Sequence, residues 1–271
     1  MIPIIFNLER RLNFKKRAKK KLTEHDFLHK EIFLNHLERL SMILQDMPNI
    51  TFIDVPNYFF DFPEVIAFLK LKQTTQINKI TRDTEILPKN IHNQNAIIAL
   101  LSCHTINDLI GYFIQIKNAL QADGVFIASF TGENSVTILK NAFANAELDL
   151  HNTYENRFHP VIDIRTLGGL LQRAGFTIPV ADSEDYKIHY KNLTTIIADI
   201  RGIGESNCLA DLPKPLKKSV YQQALINLDK STPDHIFNID IITITGRSPS
   251  EAQQKPLKPG SGQISLGSVL K

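Results

Sequence analysis

Several short stretches of this 271-residue chain carry side chains that could do chemistry. Asp54 closes the apolar run Ile50–Ile53 and stands before Val55-Pro56. A carboxylate there can meet the amine or ribose of a cofactor, or it can simply form the turn before proline. Asp83 and Glu85 lie in a polar stretch and could contact a base or ribose, or only water. Ser102, His104, Asn107 and Asp108 follow a second apolar run, Ala96–Leu101. His104 could move a proton, although no partner for it is evident in the sequence, and Asn107 or Asp108 could cap a helix. Three polar stretches follow in the second half. They are Arg157-Phe158-His159-Pro160, the loop from Asp199 to Asn207, and the tail from Gln253 to Ser261. The middle one presents Arg201, Glu205, Ser206 and Asn207 between and beyond Gly202 and Gly204. A glycine that ends a helix explains Gly202 but not the polar cluster. With Arg157, His159, Gln253, Gln254 and Lys255, these residues suggest a surface that grips something polar.

Other chemistries find little support. His25 and His29 are spaced to share a helix face, but no third ligand has a convincing spacing, and solvated helix histidines are the simpler reading. There is no G-x-S-x-G, P-loop, H-E-x-x-H or C-x-x-C. Cys103 and Cys208 stand far apart, which points to a reducing compartment rather than a disulfide framework.

The elements that must position these groups can be read from periodicity. Helices are expected over 5–21, 23–46, 63–70, 106–120, 134–149, 163–174, 192–201 and from Pro213–Pro215 to about 229. Strands are expected at 50–55, 76–80, 96–101, 125–130, 177–180, 186–190 and 236–245. Alternation of this kind predicts an α/β domain with a largely parallel sheet. The last strand, entered after two helices, is expected to run antiparallel at or near an edge. A helical arm (1–46), an α/β body (47–246) and an extended tail (247–271) give the organisation. No stretch is long and apolar enough to read as a transmembrane helix.

Charge and glycine are unevenly spread. Residues 1–21 carry eight basic side chains against Glu9, a net +7, whereas the remainder is net −4. Such a block can serve an acidic protein, an anionic membrane or nucleic acid, or be a solvated helix face. All 12 glycines lie at Gly111 or later. A nucleotide-cradling loop after the first strand normally needs glycine, because backbone must approach the ligand without Cβ atoms between them.

Several of these segments carry a family resemblance. Leu170-Leu171-Gln172-Arg173-Ala174-Gly175-Phe176 with Pro179-Val180, the Asp199–Asn207 loop and Gly246–Ser261 resemble the mitochondrial complex I assembly factor 5 family and its alphaproteobacterial relatives. Phe6–Leu12 and His104–Leu109 match as well. The resemblance is specific after about residue 101 and weak between 48 and 95. It implies a class I S-adenosylmethionine (SAM) methyltransferase fold, a Rossmann-like, mostly parallel, seven-stranded sheet. It also implies a role in maturing a respiratory NADH dehydrogenase subunit, and the eukaryotic relative is regarded as a protein arginine hydroxylase. By resemblance, SAM would meet Asp54, Asp83, Glu85, Ser102 and His104. The family's glycine loop, however, is Asp54-Val55-Pro56-Asn57-Tyr58-Phe59-Phe60-Asp61 here, and the acidic residue after the second strand has no clear match.

The sequence therefore predicts a methyltransferase-like domain with weak or absent SAM binding, its cofactor space filled by aromatic rings. It would act mainly by binding a protein client, a respiratory NADH dehydrogenase subunit. An active SAM-dependent methyltransferase or arginine hydroxylase is the alternative, and a nucleic-acid or membrane-surface binder working through the basic arm is a third. The bacterial cytoplasm, or the mitochondrial matrix if the source is eukaryotic, is the expected location.

Overall fold

The computed structural model describes residues 3–191, 194–232 and 234–253. Its centre is one sheet with strand order β2-β1-β3-β4-β6-β5. The strands are β1 (Asn49–Ile53), β2 (Gln76–Ile80), β3 (Gln94–Ala99), β4 (Leu120–Thr131), β5 (Thr177–His189) and β6 (Ile236–Arg247). The first four are parallel, and β6 runs antiparallel to both β4 and β5. The last strand is thus next to the edge, with β5 outermost. β5 is a single long strand where the sequence suggested two, because continuous pairing with β6 from His189 to Thr177 absorbs one irregularity instead of a break.

This is a Rossmann-like α/β fold of the class I methyltransferase type, with a mixed sheet and N-terminal helices. Among the described residues it has six strands rather than the expected seven. The chain from Thr81 to Asn93, where an outer strand could form beyond β2, is spent on contacts with the helix after β3. Leu87 N–H bonds Gln115 Oε1 at 2.9 Å, and Glu85 accepts from Asn107 N–H at 2.9 Å and Asp108 N–H at 3.2 Å. Backbone anchored in that way cannot also extend the sheet.

β1 and β3 are apolar on both faces because helices cover both. On one side lie α4 (Leu109–Ala119) and α6 (Ile164–Arg173), with Ile97, Phe113, Phe126 and Leu171 fully buried between them and the sheet. On the other lie α2 (Phe27–Ser41) and α3 (Pro63–Leu71), over Ile50, Phe52 and Ile98. Each such side chain contributes about 1.5–3 kcal/mol through burial. A third cluster joins α5 (Asn134–His151), α7 (Thr194–Gly202) and α8 (Lys218–Ser231) to the far ends of β5 and β6.

The first helix is shorter than its basic pattern suggested, α1 (Leu8–Ala18), with Asn7 accepting from Arg10 N–H as its cap. Phe6 pairs with Leu209 as an isolated bridge, so α1 is led across the carboxyl ends of the central strands. Half of its charges turn inward: Arg10 bonds the Leu209 carbonyl, Arg11 reaches Asp54, and Lys15 reaches Glu205. Lys16, Arg17, Lys19, Lys20 and Lys21 remain exposed.

Candidate functional site

In a sheet of this kind the ligand position lies beyond the carboxyl ends of the strands, where crossover connections diverge. Here β2 lies on one side of β1 and β3 on the other, so the divergence falls between Asp54 and the turn Cys103–Thr105. Two regions occupy that end of the sheet.

The first is centred on Asp54. Its backbone adopts φ 58°, a left-handed conformation that aspartate tolerates better than most side chains. The turn swings its carboxylate back over the strand. Oδ1 accepts from Arg82 N–H at 2.8 Å, and Oδ2 accepts from Arg11 Nη2 at 2.6 Å. Arg11 Nη1 donates to the Arg82 carbonyl at 2.9 Å, and Arg82 Nη2 donates to Thr105 Oγ1 at 2.6 Å. Both guanidinium groups are buried, at 4% and 2% exposure. Burial works to lower the Arg11 pKa, but Asp54 and Glu205 outweigh it and the net direction is upward. Arg82 goes the other way, lowered by burial and by its neighbour Arg11.

The aromatic residues that follow Asp54 do not fill this space. Pro56 and the short 3-10 turn Asn57–Asp61 aim them down the opposite side of the strand. Phe59 is fully buried against Phe33 and Phe62, Phe60 packs edge-on against Phe52 with ring centroids 4.9 Å apart, and the Tyr58 hydroxyl bonds Asp26. Apolar rings gain more in the core beneath α2 than beside charged groups. The guanidinium of Arg11, from a helix 43 residues earlier in the chain, takes the position at the end of β1 instead.

The second region is a cavity of about 450 Å³ beside the ends of β3 and β4. Arg157, His159, Arg201, Glu205, Ser206 and Asn207 all line it, with His104. Glu205 is its electrostatic centre. Oε1 accepts from Lys15 Nζ at 2.5 Å and Oε2 lies 2.8 Å from His104 Nε2. Burial alone would raise this carboxyl pKa, yet Lys15 and His104 hold it well below the usual range. Asp199 forms a parallel arrangement, its Oδ1 2.7 Å from His25 Nδ1. His159 Nε2 accepts from Cys208 N–H at 2.9 Å, and burial followed by repulsion from His104 lowers its pKa to about 4. His29 is likewise held neutral, near 3, by burial and by Lys15. Leu139, Phe143, Phe158 and Ile196 supply apolar walls.

Two glycines make this region possible. A Cβ on Gly202 would stand 2.1 Å from the His25 ring, and Gly204 has φ +76° with Lys15 only 3.0 Å from where its Cβ would be. The loop after α7 can therefore close on α1 and His25 and carry Glu205 inward. Asn207 fixes the other end of the loop: its side chain donates to the Arg157 carbonyl and accepts from Leu209 N–H. Arg157 itself is held by Glu147, at 2.5 Å.

The remaining predicted residues lie elsewhere. Glu85 secures the start of α4, as described above. Ser102 is buried beside Cys103, and Asp83 is exposed at a second, smaller cavity. Gln253 is at the opposite end of the sheet, where it bonds Thr177 Oγ1 and Asp123 Oδ1 at 2.7 Å each. Because β6 is antiparallel, its exit faces the amino ends of the parallel strands, so Gln253 and the cavity cannot share a surface. Gln254 and Lys255 lie outside the described residues. Lys15, Arg11, Arg82, His25 and Asp199 complete the two regions. The sequence placed Asp199 in the polar loop but gave no signal that His25 would meet it, or that the basic arm would supply the counterions of Asp54 and Glu205. Among the described residues no group of three or more His, Cys, Asp or Glu side chains is arranged to hold a metal ion.

Comparison with known proteins agrees with the distant resemblance. "Arginine-hydroxylase NDUFAF5, mitochondrial" of Danio rerio is 30% identical over 199 residues, 71% of this chain and 61% of that one. The protein of the same name in Homo sapiens is 29% identical over 212 residues, covering 75% and 61%. A malonyl-[acyl-carrier protein] O-methyltransferase of Gallionella capsiferriformans is 26% identical over 156 residues, covering 57% and 52%. The chain thus spans about three fifths or less of the length of these relatives. No family model matches it. Among solved structures, a SAM-dependent methyltransferase from Archaeoglobus fulgidus aligns with TM-score 0.42 and 11% identity, over 80% of this chain and 94% of that one. A likeness that remote decides nothing by itself. The fold assignment rests on the strand order, and the chain is a distant relative of the NDUFAF5-like proteins.

Proposed function

We propose that this protein acts on an arginine side chain of a protein client, and that the client's guanidinium enters the cavity beside Glu205 and Asp199. The observation that carries this reading is two carboxylates, each next to a histidine, in a cavity whose largely apolar walls also carry Arg157, Arg201 and His159. An arginine side chain has the matching form. Its methylene stem suits the walls formed by Phe143, Phe158 and Ile196, and its planar fork suits a carboxylate. Lys15 and His25 hold the carboxylates until a client guanidinium competes for them. The arginine-hydroxylase activity for which the relatives are named supports an enzyme over a pure client-binding scaffold, which was the sequence's first expectation. By family resemblance, the client would be a respiratory NADH dehydrogenase subunit.

SAM, in our reading, is not held in the usual way. Every position of the turn after β1 carries a Cβ, so backbone cannot cradle the methionine moiety. Arg11 covers Asp54, and Arg82 stands just beyond β2, where a ribose-binding carboxylate would be expected. Two guanidinium groups also repel a sulfonium cation. No step is therefore routed through SAM.

The test has two parts. Arginine-bearing peptides from NADH dehydrogenase subunits should bind the purified chain, and the matched lysine peptides should bind about tenfold more weakly. Mass spectrometry of the subunits from cells with and without the protein should find one arginine whose mass changes only when the protein is present. Equal binding of the lysine peptides would defeat the arginine assignment. Binding with no mass change would favour the scaffold reading, which the closed end of β1 supports. Titration with SAM and S-adenosylhomocysteine checks the cofactor: a micromolar dissociation constant would overturn its exclusion.

A further inference from the structure

We propose that the free edge of β5 takes an extended segment of the client as an added strand, which leads the client's arginine to the cavity beside Asp199. β5 is the outermost strand of the sheet and, among the described residues, pairs only with β6.

Hydrogen-bond direction shows which groups the edge offers. Along an antiparallel strand, successive residues turn both N–H and C=O first toward one neighbour and then toward the other side. Tyr190 N–H bonds the His235 carbonyl, so Tyr190 faces β6. The Asp240 carbonyl accepts from Gly132 N–H, which turns Asp240 toward β4, and Asp185 stands opposite it. The backbone of Asp185 is therefore turned away from β6. Both observations set the same phase: Ala181, Ser183, Asp185, Lys187 and His189 present main-chain donors and acceptors outward. Long edge strands are usually blunted against pairing. Here the irregularity between Thr177 and Val180, with Ile178 at φ 48° before Pro179, guards only the beginning. From Ala181 to His189 the pairing with β6 is regular.

The course of the strand argues for the client as occupant. β4 and β5 both run antiparallel to β6, so the last residues of β5 arrive at the end of the sheet where the cavity lies. Tyr190, directly after β5, lines that cavity, and its hydroxyl bonds Asp199. A strand laid along the edge thus ends beside a carboxylate assigned to the guanidinium. Charge agrees. β5 carries Asp182, Glu184 and Asp185 against Lys187; Arg39 engages the first two, and Asp185 stays exposed. Such an edge attracts an arginine-bearing segment, whereas a second copy paired about the middle of this ladder would set Asp185 opposite itself. Main-chain bonds would supply affinity, and the cavity would select the side chain.

The inference rests on the reading that a client arginine enters the cavity, and its test fails separately. The probe is a synthetic segment of an NADH dehydrogenase subunit with one central arginine, in which single backbone N–H groups are methylated in turn. On one side of the arginine, methylation at every second position should weaken binding to the full chain about tenfold, and methylation between them should leave it unchanged. Lys187→Pro removes an outward N–H without touching the β6 ladder, so it should keep its melting temperature. It should weaken binding about tenfold even though it removes a charge that repels the probe. If that variant does not fold, the methylation scan on the unaltered chain decides. Hydrogen exchange at Ser183, Asp185 and Lys187 should slow when the peptide is added. A scan without alternation, or exchange indifferent to the peptide, overturns the proposal. Slowing that follows protein concentration alone would assign the edge to a second copy and overturn it too. Alternation kept without a preference for arginine over lysine would support the added strand and overturn the arginine reading; arginine preference without alternation would overturn the added strand alone.

Discussion

The two regions at the carboxyl end of the sheet are built from the same kinds of side chain and reach opposite outcomes. Around Asp54, one carboxylate meets two arginines, no glycine is present, and the end of the strand is closed. Around Glu205, one carboxylate meets a lysine and a histidine, Gly202 and Gly204 let the loop close on α1, and a cavity remains beside it. The first places buried arginines at the end of the strand; the second uses glycine to bring a loop against α1. Where a ligand can enter therefore depends less on which polar residues are present than on whether the backbone leaves room beside them. The helix α1 couples both regions, since Arg11 and Lys15 lie one turn apart on it and serve one carboxylate each.

The largest effect that would break this comparison is loss of Glu205. Glu205→Ala leaves Lys15 and His104 without their shared partner in a largely buried setting, and should cost about 3–5 kcal/mol of stability. Urea unfolding measures it. If Arg11→Met costs as much, the two carboxylates are equivalent struts. A much smaller cost for Glu205→Ala would mean that solvent in the cavity replaces Lys15 and His104.

Acid should act on the second region in two steps. His159, with a folded pKa of about 4 against an unfolded value near 6.5, binds its proton more readily when unfolded. Its contribution is complete above pH 6.5 and is lost as pH falls toward 4. Glu205 is shifted down from the ordinary carboxylate value, so its contribution is present above about pH 4.3 and is lost below that, as pH falls through the folded value. Melting temperature should decline gently from pH 6.5 and steeply under pH 4.3. His159→Gln keeps an acceptor for Cys208 N–H and should remove that residue's share of the upper step, about 3 kcal/mol, leaving the shares of the buried His29 and His36. An unchanged upper step would assign all of it to His29 and His36.

A smaller effect tests the glycine side of the comparison. Gly204→Ala must hold a left-handed backbone and press on Lys15, so about 1–2 kcal/mol of stability should be lost. Arginine-peptide binding should weaken with it. A stable variant that still binds would show that Glu205, not the loop path, shapes the cavity.

The smallest effect concerns charges that neither region uses. Lys19→Gln, Lys20→Gln and Lys21→Gln together should change stability by no more than about 0.5 kcal/mol. They should nevertheless weaken binding to an acidic client surface in low salt. Substituting Arg11 and Lys15, by contrast, would unfold the site, so deletion of residues 1–21 would not isolate a docking role.

Much of the architecture was legible in the sequence because its signals are local. The apolar runs at 50–53 and 96–99 are buried on both faces, so they read as central parallel strands without a partner being known. The β-branched run from Ile236 marked the antiparallel strand. The six-strand sheet was legible only in part: Asp83–Pro88 read as a loop, but the short runs at 177–180 and 186–190 gave no sign that pairing with β6 joins them into one strand. At the site, the loop from Asp199 to Asn207 stood out as polar and glycine-bracketed, but Gln253 looked equally particular and lies at the far end of β6.

What the sequence determined alone is what depends on neighbours along the chain: the strands and helices, the absence of glycine after β1, and the presence of a polar loop after α7. What only the tertiary structure decided is which charges meet. Arg11 finds Asp54, Lys15 finds Glu205 and His25 finds Asp199 across separations of 43, 190 and 174 residues. No local pattern encodes such a pairing. It is fixed by α1 crossing the ends of the central strands, where burial removes water as a competing partner and makes each charge depend on the one facing it.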